Sequence, residues 1–172
     1  MHAFASLPLY AFPLCMLAAA ISDLRKFIIP NTVSITLVIA FFISFGLSGL
    51  GFDVLLNHLL AGGIMLVVGI ALFAFKIFGA GDSKLLAAAA LWLGWPMFGH
   101  ALIYIALFGG ALSVLIVLSR VVARLFPRLS LIFPPVARLA ATEKLIAPYG
   151  VAIAAGAIFV FPESALFKAV II

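Results

Sequence analysis

Charged side chains are scarce in this sequence. Only 9% of its 172 residues are charged, whereas 67% are hydrophobic. A soluble domain averages about 25% charged and about 45–50% apolar residues. No soluble fold of this length could bury so much apolar side chain, so the composition predicts a multi-pass membrane protein. We expect residues 1–172 to form a single domain embedded in the lipid bilayer.

Cysteine is nearly absent as well. Cys15 is the one cysteine, which excludes an internal disulfide and a CxxC pair that could hold zinc. The residues offer no obvious set of ligands for a metal ion or a cofactor, and we expect neither. The formal net charge of +5 does not indicate a nucleic-acid partner, because Lys and Arg concentrate in the cytoplasmic loops of membrane proteins.

Long apolar runs are what the sequence has in abundance, and runs of about 20 residues predict transmembrane helices. Pro96, flanked by Gly94 and Gly99, divides the longest run. The predicted fold is therefore an all-α bundle of about six transmembrane helices. Their expected ranges are about 4–22, 31–50, 54–78, 83–95, 98–119 and 149–170.

The positions of the basic residues predict the orientation of this bundle. If the first helix ends inside, every Lys and Arg except Lys168 lies on the cytoplasmic side. Both termini are then outside, and a basic loop at 120–148 is inside. His58 and His100 are expected at the outer interface.

Acidic residues are the rarest charged group, with five in the chain. Asp53 and Glu163 are predicted on the outer side, and Glu143 falls in the basic loop. Asp23 and Asp82 remain, at the inner end of the first helix and the inner start of the fourth. The topology therefore puts both at one depth, and polar residues at such positions are functional candidates.

Two carboxylates that lie together suggest a specific chemistry. Like charges repel, so one carboxyl keeps its proton while the other is ionised. The ionised member can take a proton from water as it attacks a peptide carbonyl, and the protonated member can hydrogen-bond the developing oxyanion. Gly79 and Gly81 would adopt backbone angles closed to other residues and let a peptide approach Asp82. Alternatively, Asp82 only caps the fourth helix and Asp23 is only a juxtamembrane charge.

Three motifs resemble those of type IV prepilin peptidases: "SDLRKFIIPN", "GAGDSK" and "APYGVAIAAG". They match the family patterns D-x-x-x-x-x-I-P-N, G-x-G-D-x-K and P-[YF]-G-x-x-[ILA]. The matching residues are Asp23, Ile29, Pro30, Asn31, Gly79, Gly81, Asp82, Lys84, Pro148, Tyr149 and Gly150.

The resemblance implies an integral membrane aspartyl protease of type IV pilus or protein-secretion systems. Such enzymes cut the leader from prepilins or pilin-like proteins at the cytoplasmic face of the bacterial inner membrane. It implies that Asp23 and Asp82 are catalytic. The longer family members carry an N-terminal extension with paired CxxC motifs, associated with N-methylation. Here the first helix begins almost at Met1, so the chain resembles the short form of tight-adherence (Flp) systems, and we do not expect methyltransferase activity.

The remaining motif residues have two readings each. Lys84 either tunes Asp82 or binds substrate, or, as we favour, anchors the helix at the interface. Asn31 either hydrogen-bonds within the site or caps the second helix. Pro148, Tyr149 and Gly150 either border the site or merely start the last helix.

Two other function classes stay open from the residues alone. A small transporter would use the aspartates to relay protons or bind a cation. A non-catalytic subunit of a pilus or secretion assembly would need neither. Carboxyl groups that lie close together would favour the protease.

Overall fold

The computed structural model describes residues 7–125 and 148–171, and the regular elements in those ranges are all helical. A 3-10 turn at Pro8–Tyr10 precedes the first helix, and another at Phe161–Glu163 separates the last two. The α-helices are α1 (Ala11–Lys26), α2 (Asn31–Ser48), α3 (Phe52–Ala74), α4 (Ala80–Leu125), α5 (Tyr149–Val160) and α6 (Ala165–Ile171). The predicted start of the first helix and residues 126–147 of the predicted basic loop at 120–148 lie outside the described residues. Residues 120–125 of that predicted loop are helical instead, because α4 continues to Leu125.

The prediction of an all-α membrane protein is confirmed. Within the described ranges, α2, α3 and α4 are each long and apolar enough to cross a membrane. The bent pair formed by α5 and α6 would make a fourth span. The predicted sixth helix is therefore not continuous to 170, because the chain turns by 52° at Ser164. α1 has 16 residues, two fewer than α2, the shortest of these three candidate spans.

Two helices end on left-handed residues that are not glycine. Lys76 has φ 58°, and the amides of Lys76 and Ile77 donate to the carbonyls of Phe73 and Leu72, both at 2.9 Å. This is a Schellman ending, and it stops α3 at Ala74 rather than at the predicted 78. Phe27, with φ 52°, ends α1 through a 2.9 Å bond from its amide to the Asp23 carbonyl.

The predicted fourth and fifth helices are the two halves of α4. Gly94 has φ 69° and ψ 168°, which breaks the helix into α4a (residues 80–93) and α4b (residues 95–125). α4a packs against α3, where Ser83 meets Gly69, and α4b packs against α5, where Ile105 meets Gly156. α4a and α5 begin at the same end of the bundle, because Ile29 contacts both Gly81 and Gly150. α4b runs antiparallel to α5, so the chain reverses at Gly94 and α4 is a helical hairpin.

Side chains of α3 satisfy the backbone groups that this break exposes. The amide of Trp95 donates to Asn57 Oδ1 at 2.8 Å, and His58 Nδ1 lies 2.7 Å from the Leu91 carbonyl. His58 is only 2% exposed. The expectation that it lies at the outer interface is therefore wrong, because the broken helix offers it a buried carbonyl acceptor. His100 is exposed.

The core is centred on Trp92 in α4a. Its ring lies 5.2 Å from Phe12 of α1 and 5.9 Å from both Phe41 of α2 and Phe161. Its indole N–H donates to the Leu37 carbonyl at 2.9 Å, so the ring's polar atom is also satisfied. This cluster packs α1, α2 and the 3-10 turn after α5 around the last turn of α4a.

Gly94→Ala should lower the stability of the bundle by about 1–3 kcal/mol, since φ 69° with ψ 168° lies in a region that essentially only glycine adopts. An added Cβ would also lie 3.0 Å from His58 Nε2. Gly99→Ala is the matched control, because Gly99 has open space around it and gains helix propensity. Thermal unfolding in detergent measures both, and equal melting temperatures would show that the break tolerates a side chain.

Candidate functional site

Five segments meet at the end of the bundle opposite to Gly94. They are the last turn of α1, the loop at 27–30 that leads into α2, the turn at 75–79, and the first turns of α4 and α5. Asp23 and Asp82 come from the first and fourth of these. The topology that the sequence predicts for the two aspartates is thus the one that the structure has.

Asp23 is buried, with 5% of its surface exposed. Its Oδ2 accepts the amide N–H of Gly150 at 2.8 Å, while the next amide, that of Val151, donates to the Pro148 carbonyl at 3.1 Å. Pro148 immediately precedes α5, and its side chain cannot cap a helix. Asp23 therefore caps α5 from another helix, and its charge lies at the positive end of that helix. A solvated juxtamembrane charge, the alternative reading of Asp23, does not describe this position.

Asp82 is the third residue of α4. Its Oδ2 accepts the amide N–H of Gly79 at 3.3 Å, which is the reciprocal half of a capping box. It therefore caps its own helix, as the alternative reading expects, but from within the first turn. Its Oδ1 is buried and has no hydrogen-bond partner among the described residues. This carboxylate oxygen is therefore available for a further hydrogen bond.

The two carboxylates share their surroundings. Asp23 and Asp82 both line a cavity of about 480 Å³, together with the loop at 27–31, Ala80 and Lys84. They also both line a second cavity of about 710 Å³, on the side of Phe78 and Tyr149. Each carboxylate therefore lies within electrostatic range of the other. Two carboxyl groups between open cavities can handle a water and a carbonyl group by general acid–base catalysis.

The motif glycines are needed for their small size. Neither Gly79 nor Gly81 has a positive φ, so the expectation of special backbone angles is wrong. A Cβ on Gly81 would lie 2.9 Å from the Ile29 Cβ, and a Cβ on Gly150 would lie 2.8 Å from both Ile29 Cδ1 and Asp23 Oδ2. The chain that approaches these glycines is the protein's own. Ile29 is held between α4 and α5.

Gly79 is crowded by the aspartate itself. A Cβ there would lie 2.9 Å from Asp82 Oδ2. The hydroxyl of Ser83, one residue further on, donates to the carbonyls of Gly69 and Gly79 at 2.8 and 3.1 Å. These bonds fix the first turn of α4 against α3 and so fix the position of Asp82.

Lys84 and Asn31 bind each other, with Nζ donating to Oδ1 at 2.8 Å. Both side chains line the smaller cavity, and so does Pro30, which immediately precedes α2. Lys84 therefore ties the start of α4 to the start of α2, a role that neither of its predicted readings included.

Of the three residues in the third motif, only Tyr149 lines the larger cavity. The Tyr149 ring packs on Phe78 at 5.5 Å and lines that cavity. Gly150 binds Asp23, and Pro148 is buried beside it without lining either cavity.

Among the residues that sequence reasoning missed, two belong to the first motif and line these cavities. Phe27 lines both, and Ile28 lines the smaller one. The Ser22 hydroxyl donates to the Ile28 carbonyl at 2.7 Å, which holds this loop against α1. Their position inside the first motif, between Asp23 and Pro30, was the available signal.

The sequence was compared with protein families, curated proteins and solved structures. The profile of the type IV leader peptidase family matches residues 10–117, which is more than half of the chain. This protein belongs to the type IV leader peptidase family. The searches of curated proteins and of solved structures each found no match.

The family match covers α1 to α4b and so includes both aspartates. The protein is accordingly an aspartic-type peptidase that removes leader peptides of the type IV prepilin kind. The third motif, at the start of α5, lies outside the matched range. Its connection with the leader peptidase site is the bond between Asp23 and Gly150.

Gly81→Val should abolish leader cleavage while the protein still accumulates in the membrane. The added side chain would displace the loop at 27–30, and a shift of about 1 Å at a catalytic site can cost about a hundredfold in rate. Gly110→Val is the control, because Gly110 has open space around it. The assay is the mobility shift of a co-expressed prepilin, and normal processing by Gly81→Val would mean that the close contact with Ile29 is dispensable.

Proposed function

We propose that Asp23 and Asp82 are the catalytic pair of this leader peptidase. The observation that supports this most directly is that the two carboxylates interact and line the same two cavities. They come from separate helices. Four of the residues that surround them have no side chain or only a methyl group, namely Gly79, Ala80, Gly81 and Gly150. A peptide could reach them from either cavity.

In the proposed mechanism a water lies between the two carboxyl groups. Asp23 is the proposed ionised member, since its carboxylate accepts the Gly150 amide at the positive end of a helix, which favours the charged form. Asp23 takes a proton from the water as the oxygen of that water attacks the scissile carbonyl carbon. Asp82, protonated, donates a hydrogen bond to the carbonyl oxygen as it becomes an oxyanion. The proton is then delivered to the departing amine, and the peptide bond breaks.

The other motif residues are proposed to shape this site. Gly79, Gly81 and Gly150 permit the close packing of the segments that carry the aspartates. Pro30 and Asn31 start α2 at the cavity wall, and Lys84 holds Asn31 in place. Tyr149 forms part of the wall of the larger cavity, and Pro148 places the Gly150 amide toward Asp23.

We propose that the site faces the cytoplasm across a bacterial inner membrane, with both termini outside. Arg25, Lys26, Lys76 and Lys84 lie in the same segments as the aspartates, while Lys168 lies with Asp53 and Glu163 beside the Gly94 break. This distribution supports the orientation by the positive-inside rule.

The substrate that we propose is a pilin-like precursor of the tight-adherence (Flp) type. The resemblance of the chain to short family members supports it. The leader of a prepilin is hydrophilic and is followed by a hydrophobic helix, so its scissile bond should lie at the cytoplasmic interface. That is the depth proposed for Asp23 and Asp82.

Asp23→Asn and Asp82→Asn should each reduce prepilin cleavage by at least about a hundredfold, since a general acid or base contributes about 10²–10⁴-fold. The asparagine oxygen can still accept the Gly150 amide, so α5 stays capped. The double variant should be no worse than either single variant, because the two groups act as a unit. Chelators should have no effect.

Asp53→Asn is the matched control for charge removal, since Asp53 lies at the other end of the bundle. It should process prepilin normally. Enzyme levels are compared by blot. Full processing by either Asp23→Asn or Asp82→Asn at normal abundance would end the proposal that this pair is catalytic.

The orientation is tested by single cysteines in a Cys15→Ser background. Lys26→Cys should be shielded from an impermeant thiol reagent added outside, whereas Phe52→Cys should be labelled. Both side chains are exposed in the bundle, so shielding reports the side of the membrane. Outside labelling of Lys26→Cys, together with shielding of Phe52→Cys, would show that the orientation is the reverse of the one proposed.

A further inference from the structure

An apolar groove runs along the bundle between α2 and α3, with α4a as its floor. It has a volume of about 500 Å³ and opens sideways, toward the membrane. We call it the lateral groove. It is defined by Ile35, Val38 and Phe42 of α2, Leu59 and Gly63 of α3, and Ala88 of α4.

The lateral groove exists because α2 and α3 are held apart. They meet at one end, where the His58 ring of α3 lies 5.6 Å from the Phe41 ring and 6.0 Å from the Phe45 ring of α2, and elsewhere each packs on α4 instead. Gly62 sits tightly on α4a, where a Cβ would lie 3.0 Å from the Leu91 Cβ. The next residue, Gly63, has nothing within 4 Å of the position of a Cβ. The wall of the groove is therefore open at Gly63 and could accept another side chain.

The lateral groove adjoins the smaller of the two cavities that the aspartates line. Lys84 lines both. On α2, Asn31 lines the cavity, and Ser34, one helical turn later, lines the groove. A chain that leaves the cavity at Lys84 can thus enter the groove directly.

The polarity changes at this junction. The cavity is bordered by Asp23, Asp82 and Asn31, whereas beyond Lys84 the groove is lined almost entirely by aliphatic and aromatic side chains. From Ser34 to Phe42 the groove covers about 12 Å at 1.5 Å per residue, slightly more than two helical turns.

We propose that the lateral groove seats the hydrophobic helix that follows the scissile bond of the substrate. This inference rests on the proposed function, which puts the scissile bond beside Asp23 and Asp82. A prepilin changes from polar to apolar just after that bond, and the protein changes in the same way at Lys84. In lipid, helices associate through close packing rather than through the hydrophobic effect. Gly63, Ala87 and Ala88 are small enough to allow such packing.

The first test compares Gly63→Leu with Gly110→Leu. Both glycines are in helices with open space around them, but only Gly63 lines the groove. Each variant is assayed on a full-length prepilin and on a short peptide that ends before the hydrophobic helix. We expect Gly63→Leu to raise KM for the prepilin about tenfold with little change in kcat, as loss of uniform binding does. The short peptide should be cut normally, and Gly110→Leu should match the parent on both substrates.

The second measurement is cross-linking, which does not depend on the short peptide being cut. Gly63→Cys, in a Cys15→Ser and Asp82→Asn background, is combined with single cysteines along the substrate helix. Disulfides should form at positions three or four residues apart, since one face of the helix would lie in the groove. Gly110→Cys is the control.

The outcomes separate the two proposals. A parent enzyme that cuts no prepilin refutes the proposed function, and the groove assignment with it. If the parent cuts prepilin but Gly63→Leu is unaffected, and Gly63→Cys cross-links no better than Gly110→Cys, the groove holds only lipid chains. An equal loss on prepilin and short peptide, without cross-links, would show that Gly63→Leu merely disturbs the fold.

Discussion

The arrangement of the site depends on the bond between the Asp23 carboxylate and the Gly150 amide in the first turn of α5. The bond joins residues 127 positions apart and is buried. It satisfies a donor that α5 cannot satisfy itself, because Pro148 offers no cap. Gly150 must lack a side chain for the carboxylate to come so close. Since α5 in turn packs on α1 and on α4b, this contact positions Asp23 relative to the whole bundle.

The same contact positions Asp82 indirectly. The loop at 27–30 leaves α1 just after Asp23, and its Ile29 is held between Gly150 and Gly81. Gly81 is adjacent to Asp82, so the distance between the two aspartates is set by one isoleucine and two glycines. Ser83 fixes the other side of this turn through its bond to Gly69 in α3. Shortening or enlarging any of these side chains would move one carboxylate relative to the other.

The sequence was sufficient to predict those features that depend on periodicity and topology. Hydrophobic runs gave the helices, the positions of Asp23 and Asp82 at one end followed from the chain direction, and Pro96 with Gly94 marked the hairpin. The partners of single atoms were not predictable. The capping of α5 by Asp23, the bond from Lys84 to Asn31, and the burial of His58 all join residues far apart in the chain. Nothing local distinguishes these residues from interface residues, because a tertiary partner decides their role.

The two aspartates are unequal in what they do for the fold. Asp23 satisfies the buried amide of Gly150 in α5, and an orphaned buried amide costs about 1–3 kcal/mol. Asp82 accepts one long bond, at 3.3 Å, from an exposed glycine. Truncation to alanine would therefore destabilise the bundle far more at position 23 than at position 82. A loss of activity in Asp23→Ala would combine an uncapped α5 with a missing base, whereas in Asp82→Ala it would mainly report the chemistry. Asparagine separates the two effects at position 23, because it keeps an acceptor for Gly150 but cannot take up the proton from water. In the proposed mechanism one side chain thus serves as both a structural cap and a general base, and the requirement to cap α5 restricts position 23 more strictly than catalysis alone would.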